Sequence, residues 1–213
     1  MAVVVTLEQI SKLAPGVRQG YAEAFAAGQQ VLDSFGIAES PLRVAHFIAQ
    51  LMHESGALTK EYENLNYSAR RLVQVWPWRF KPHGPLDPEA YANNARKLAN
   101  EVYGGRMGNT GPQDGYIYRG RGLLQLTGKG NYSAATTRVR RCVPACPDFA
   151  QEPDAVLSPA WCLAVAAGEW ASRGCNQLAD LDDLEQITRR INGGTTGFPE
   201  RQEWLRQARL VWN

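Results

Sequence analysis

Apolar and capping residues along the chain mark a succession of helices. Thr6 is placed to cap a helix over "LEQISKLA", which Pro15 and Gly16 close. A second helix over about 18–35 carries Tyr21, Phe25, Val31, Leu32 and Phe35 and stops at Gly36. Ser40 and Pro41 open a third, as N-cap and first helical position. That third segment, "PLRVAHFIAQLMHES", sets Leu42, Ala45, Ile48, Ala49 and Met52 on one face and ends near Gly56. The pattern predicts further helices at 88–103, 130–138, 158–173, 181–191 and 199–211, with short strands at 116–118 and 123–126. The stretch 76–88, "WPWRFKPHGPLDP", reads as an irregular loop. Seven glycines in the nineteen residues 104–122 exclude a stable helix there and suit tight turns or backbone passing close to a ligand. No heptad or longer repeat is present, so the expected class is mostly α.

With 44% apolar and 21% charged residues in 213, the chain can bury a core without staples, and disorder, collagen and coiled coil are excluded. The +2 net charge is too mild to argue for nucleic acid. The longest apolar piece, 161–170, is interrupted by Glu169, so no membrane span is expected. The amino-terminal segment lacks the features of a signal peptide, which points to residence in the cytoplasm. Cys142, Cys146, Cys162 and Cys175 lack a convincing zinc-site spacing and are expected to be reduced structural thiols, a disulfide after export being the alternative. No metal or other cofactor is expected.

Chemistry concentrates after the third helix, where "HESGALTKEYEN" brings Glu54, Glu61 and Glu63 within ten residues. Glu54 falls at the negative end of a helix dipole among apolar neighbours, which favours its protonated form; Glu63 lies in a polar loop beside Asn64 and Asn66. Two carboxyls in unlike surroundings are what acid–base cleavage of a glycosidic bond requires. The same spacing also fits a helix end followed by a charged surface turn. The zinc-protease pattern H-E-x-x-H fails, because Ala57 stands where its second histidine belongs.

Taken with "HESG" upstream and "INGG" at 191–194, the segment "YRGRGLLQLTGKGNY" at 118–132 resembles the family 19 glycoside hydrolases, a family of plant-type chitinases and phage or prophage lysozymes. The resemblance spans about residues 44–205. It implies a lysozyme-like fold with a cleft between a larger lobe (about 1–66 and 113–213) and a smaller one (about 67–112), in one catalytic domain without a separate wall-binding domain. It also implies Glu54 as general acid, Glu63 as base with Glu61 as competitor, and Thr127 as the hydroxyl that holds the attacking water in an inverting reaction. Gln125 and Asn131 match amides that bind N-acetyl sugars, Tyr118 a cleft tyrosine, Asn192 the asparagine of "INGG", and Arg201 an arginine near the acid. His53 is expected at the substrate site or simply hydrogen-bonded in the core, and Asn192 serves equally as a turn cap. Trp76, Trp78 and Phe80 suit either sugar stacking or the core of the smaller lobe.

"ENLNYSA" and "RMGNTGPQDGYIYRGRGLLQLTG" are similar to the lysozyme branch. The expected substrate is therefore bacterial peptidoglycan, cut between N-acetylmuramic acid and N-acetylglucosamine, by a monomer. Such a lytic enzyme would be made in the host cytoplasm and reach the periplasmic wall through a holin. Chitin as substrate, a glycan-binding protein without activity, and a toxin delivered into a rival cell are the alternatives.

Overall fold

The computed structural model describes residues 2–213. Helix α1 (Leu7–Leu13) starts at Thr6, whose side chain and that of Gln9 form a reciprocal capping box. The helix expected over 18–35 is two, α2 (Gln19–Ala26) and α3 (Gln29–Ser34). The break falls at Gly28, where a Cβ would stand 2.3 Å from Leu163 and 2.5 Å from the Ala24 carbonyl. Close approach of a later helix, rather than a capping signal, ends α2. Helix α4 (Pro41–Glu54) begins as expected, with the Ser40 hydroxyl accepting from Arg43 N–H at 3.2 Å. It is not apolar on one face only: every residue from Val44 to Met52 is buried. Such a helix is the axis of the molecule.

Helix α5 (Ala69–Val75) precedes the irregular loop. The helix expected over 88–103 is a 3₁₀ turn at Pro88–Ala90 followed by α6 (Ala95–Tyr103), because Asn93 adopts φ +52° and Asn94 then caps the new helix through Lys97 N–H. Tyr116 and Ile117 belong to α7 (Asp114–Ile117) instead of a strand. The described residues contain only isolated β-bridges, Tyr62 with Arg121, Phe80 with Leu86, and Arg121 with Leu126. Then follow α8 (Lys129–Arg140), α9 (Cys162–Ser172) and α10 (Cys175–Asp180). The expected 181–191 helix starts late, as α11 (Leu184–Asn192), since Asp182 takes φ +56° and Asp183 is its N-cap. Helix α12 (Phe198–Val211) lies along α4.

The buried side chains form three clusters. The first surrounds α4 and includes Phe47, packed edge-to-face on Trp170 with centroids 5.4 Å apart. The second joins Tyr118, Tyr132, Val139 and Phe149. The third, of Leu65, Leu72, Phe80, Leu98, Ala99 and Val102, draws on α5, α6 and the irregular loop. The loop aromatics divide accordingly: Phe80 is fully buried, Trp76 packs on Tyr67, and Trp78 is 79% exposed. All four cysteines are unpaired; burial pushes the Cys162 and Cys175 thiols up to about 12.

Candidate active site

Glu54 ends α4 with a side chain 16% exposed. Arg201, fully buried on the first turns of α12, donates from Nη2 to Glu54 Oε1 and from Nη1 to Gln50 Oε1. Gln50 and Glu54 are four apart, so one guanidinium spans two successive turns of the same helix face. The helix end alone disfavours a carboxylate, and Arg201 acts in the opposite sense. Arg201 arrives there because His53 and Gly197 fit together. Gly197 has φ +71°, and a Cβ on it would lie 2.3 Å from the His53 ring. Glycine at this N-cap lets α12 start against the imidazole. Burial first, and then Arg201, lowers the proton affinity of His53, so its ring is neutral at neutral pH.

Glu63 is held from three directions. Its Oε2 accepts from the Tyr103 hydroxyl at 2.6 Å, its Oε1 from Gly120 N–H at 2.5 Å, and its own N–H donates to the Gly120 carbonyl at 3.0 Å. Burial, and next the Glu63 charge, raise the Tyr103 pKa, which keeps that hydroxyl a donor. A Cβ on Gly120 would sit 2.9 Å from Gln125 Oε1 and 3.2 Å from both Glu63 Oε1 and Thr127 Oγ1. Three polar groups thus converge on the bare face of one glycine. Thr127 Oγ1 donates to the Gln125 carbonyl at 2.8 Å, which fixes its lone pairs. Glu61 is engaged elsewhere, with Arg18 at 3.0 Å.

Asn131 is exposed and donates to the Thr127 carbonyl at 2.7 Å. With Gln125, Thr127 and Ile191 it lines a pocket of about 140 Å³. Asn192 is exposed at the last position of α11, and Gly193 beyond it takes φ +77°. Tyr118 is not a cleft residue: it is 6% exposed in the second cluster, packs edge-to-face on Tyr132, and spends its hydroxyl on the Ala150 carbonyl at 2.7 Å. Sequence reasoning missed Gln50, Tyr103 and the Gly120 N–H. Gln50 stands one helical turn before Glu54, a usable signal. Nothing local marks Tyr103, forty residues after the carboxylate it binds.

No model of a known protein family matches the chain. A protein of Haemophilus influenzae (strain Rd) described as glycosyl hydrolase family 19 domain-containing is 34% identical over 215 residues, covering 100% of both chains. Among solved structures, a bacterial family 19 chitinase superposes with TM-score 0.63 at 19% identity, over 98% of this chain and 95% of that one. Chitinase C from Streptomyces griseus HUT6037 gives TM-score 0.61 at 19% identity, over 98% of this chain and 76% of its own. The end-to-end relationship to the Haemophilus protein, on a mostly helical fold shared with these chitinases, shows that the chain belongs to glycoside hydrolase family 19 and is a glycosidase.

Proposed function

We propose that the protein hydrolyses the β-1,4 bond between N-acetylmuramic acid and N-acetylglucosamine in peptidoglycan, with inversion. Glu54 gives its proton to the glycosidic oxygen as the C–O bond breaks. Glu63 takes a proton from water held by the Thr127 hydroxyl, and that water attacks the anomeric carbon from the opposite face. Inversion of this kind expects the two carboxyls ~6.5–9.5 Å apart. The observation that carries the proposal is the unlike fixing of the two carboxyls. Arg201 offsets the negative charge left on Glu54 after proton donation, and Tyr103 and Gly120 aim Glu63 beside Thr127.

Peptidoglycan is preferred because "ENLNYSA" supplies Glu63 itself and is similar to the lysozyme branch. Chitin is the second reading, favoured by the two chitinases that share the fold. The proposed context is a monomeric single-domain endolysin, with a cleft between the lobes, made in a bacterial cytoplasm and released by a holin to the periplasmic wall. A holin gene beside it supports lysis, whereas an immunity gene supports a delivered toxin.

Digestion of purified peptidoglycan, borohydride reduction and mass spectrometry of the new ends test the assignment. Muramitol ends are expected. Glucosaminitol ends reverse the bond, and cleavage of chitin oligomers alone replaces the substrate.

A further inference from the structure

Met107 is one of two non-glycine residues lining the pocket beside the site in the left-handed region, the other being Gln125 at φ +50°. Met107 holds φ +51°, a left-handed backbone that L side chains rarely adopt, while the neighbouring positive-φ positions 105 and 108 are glycines. A flexible loop would relax such a residue, but this one is tied down. Gly105 N–H donates to the Asn109 carbonyl, Asn109 Nδ2 to the Tyr103 carbonyl, and Lys129 N–H to Asn109 Oδ1, each at 2.9 Å. The Met107 carbonyl accepts from Gly130 N–H at 2.9 Å, and a Cβ on Gly128 would stand 2.5 Å from Met107 Cβ. Two glycines of "TGKG" therefore make room for this one residue. Core packing does not explain it, since Met107 is 41% exposed. What it does touch is the pocket of about 140 Å³ that it lines together with Gln125, Thr127, Asn131 and Ile191.

An acetamido group needs a donor for its carbonyl, an acceptor for its N–H and an apolar surface for its methyl. The amides of Gln125 and Asn131 supply donors and acceptors. The thioether of Met107, soft and adaptable, supplies an apolar surface at the rim. In volume the pocket is close to the ~150 Å³ cavity that takes up a benzene ring, enough for one such substituent. We infer that Met107 is a substrate-contact residue that packs on the acetamido methyl of the bound sugar, and that its strained backbone is retained to place it there. This inference rests on the proposed glycan-cleaving site.

The test measures binding of N-acetylglucosamine hexasaccharide and of its de-N-acetylated counterpart to Glu54→Gln protein carrying Met107, M107A, M107L or M107G. Turnover of soluble glycan strands is followed in the same substitutions with Glu54 intact. M107A should weaken hexasaccharide binding about fivefold, the scale of one or two lost apolar groups. It should raise KM with kcat unchanged, the signature of lost uniform binding. M107L should restore both, and the de-N-acetylated sugar should not distinguish Met from Ala. M107G should melt no lower than the parent, since glycine relieves φ, yet bind as weakly as M107A. Parental affinity in M107A or M107G, or equal loss for both sugars, overturns the inference. Failure of the unsubstituted enzyme to cut any glycan removes the functional reading instead.

Discussion

At the scale of single residues the site makes unequal demands on its carboxyls. Glu54→Gln cannot donate a proton and should lower kcat by about 10³-fold, within the span of general acid catalysis, while the fold persists; substantial residual cleavage in a purified, folded variant would remove the acid role. Glu63→Gln should cost a comparable factor, whereas Glu61→Gln should cost little. Glu61 lies in an ion pair whose Arg18 partner is 49% exposed, a contact worth roughly 0–1 kcal/mol. The opposite ranking in the same assay would move the base to Glu61. Tyr103→Phe removes the 2.6 Å hydrogen bond to Glu63. Hydrogen bonds to a charged group are worth about 1.5–3 kcal/mol, so the rate should fall by roughly 10–100-fold with little change in KM. Both glutamates of the candidate site were legible as a pair because one stretch of ten residues holds them. Gln125 and Thr127 stand in a contiguous motif. Tyr103 was not, because its partnership with Glu63 exists only after α6 folds back beside Gly120. Tyr118 misled because its neighbours in the motif face the site while its own side chain enters the second cluster.

At the scale of elements, the sequence foretold where helices start better than where they break. Ser40, Thr6 and Pro41 act on backbone within a few residues, so their message is local. The interruption at Gly28 depends on Leu163 of α9, and the late start of α11 on a left-handed Asp182, neither of which shows in the apolar periodicity. The same long-range logic governs the start of α12. Gly197→Ala places a methyl into the His53 ring at a φ of +71°. The left-handed backbone alone costs a non-glycine residue about 1–2 kcal/mol, and the clash must also push the helix start from α4. Arg201, four residues on, would then leave Glu54 and Gln50. The expected outcome is a lower denaturant midpoint together with a loss of kcat larger than the stability change explains at assay temperature. A Gly197→Ala enzyme with undiminished kcat would show that the fit of Gly197 against His53 is not what positions Arg201.

On the scale of the whole molecule, α4 joins the site to a second ionic cluster two turns away, in which only the histidine is buried. His46, with no exposed surface, meets Asp182 through Nε2 at 2.8 Å, and Arg209 binds the same carboxylate. Nδ1 of His46 is buried without a protein partner among the described residues. Burial lowers the proton affinity of His46 more than the hydrogen bond and charge of Asp182 raise it, and Arg209 adds to the lowering. A histidine in the unfolded chain titrates near ~6.5. Below that pH the unfolded state binds a proton that folded His46 refuses, so stability must fall as pH falls, by up to about 1.4 kcal/mol per pH unit for one histidine. His53, shifted in the same direction, adds to the slope. Asp180 and Asp182 act later: Arg43 holds down the folded proton affinity of the first, and for the second burial raises it but Arg209 and His46 lower it further, so their contribution is lost as pH falls from the ordinary carboxylate range through their lower folded values. Urea midpoints should therefore decline between pH 7 and 5, before the carboxylates titrate. His46→Gln keeps an amide to meet Asp182 but cannot take up the proton, and its stability should fall less steeply over that range than the parent's, leaving the His53 part. An unchanged slope would mean that Asp182 offsets burial at His46, and a steeper slope in the variant would mean that Asp182 outweighs it.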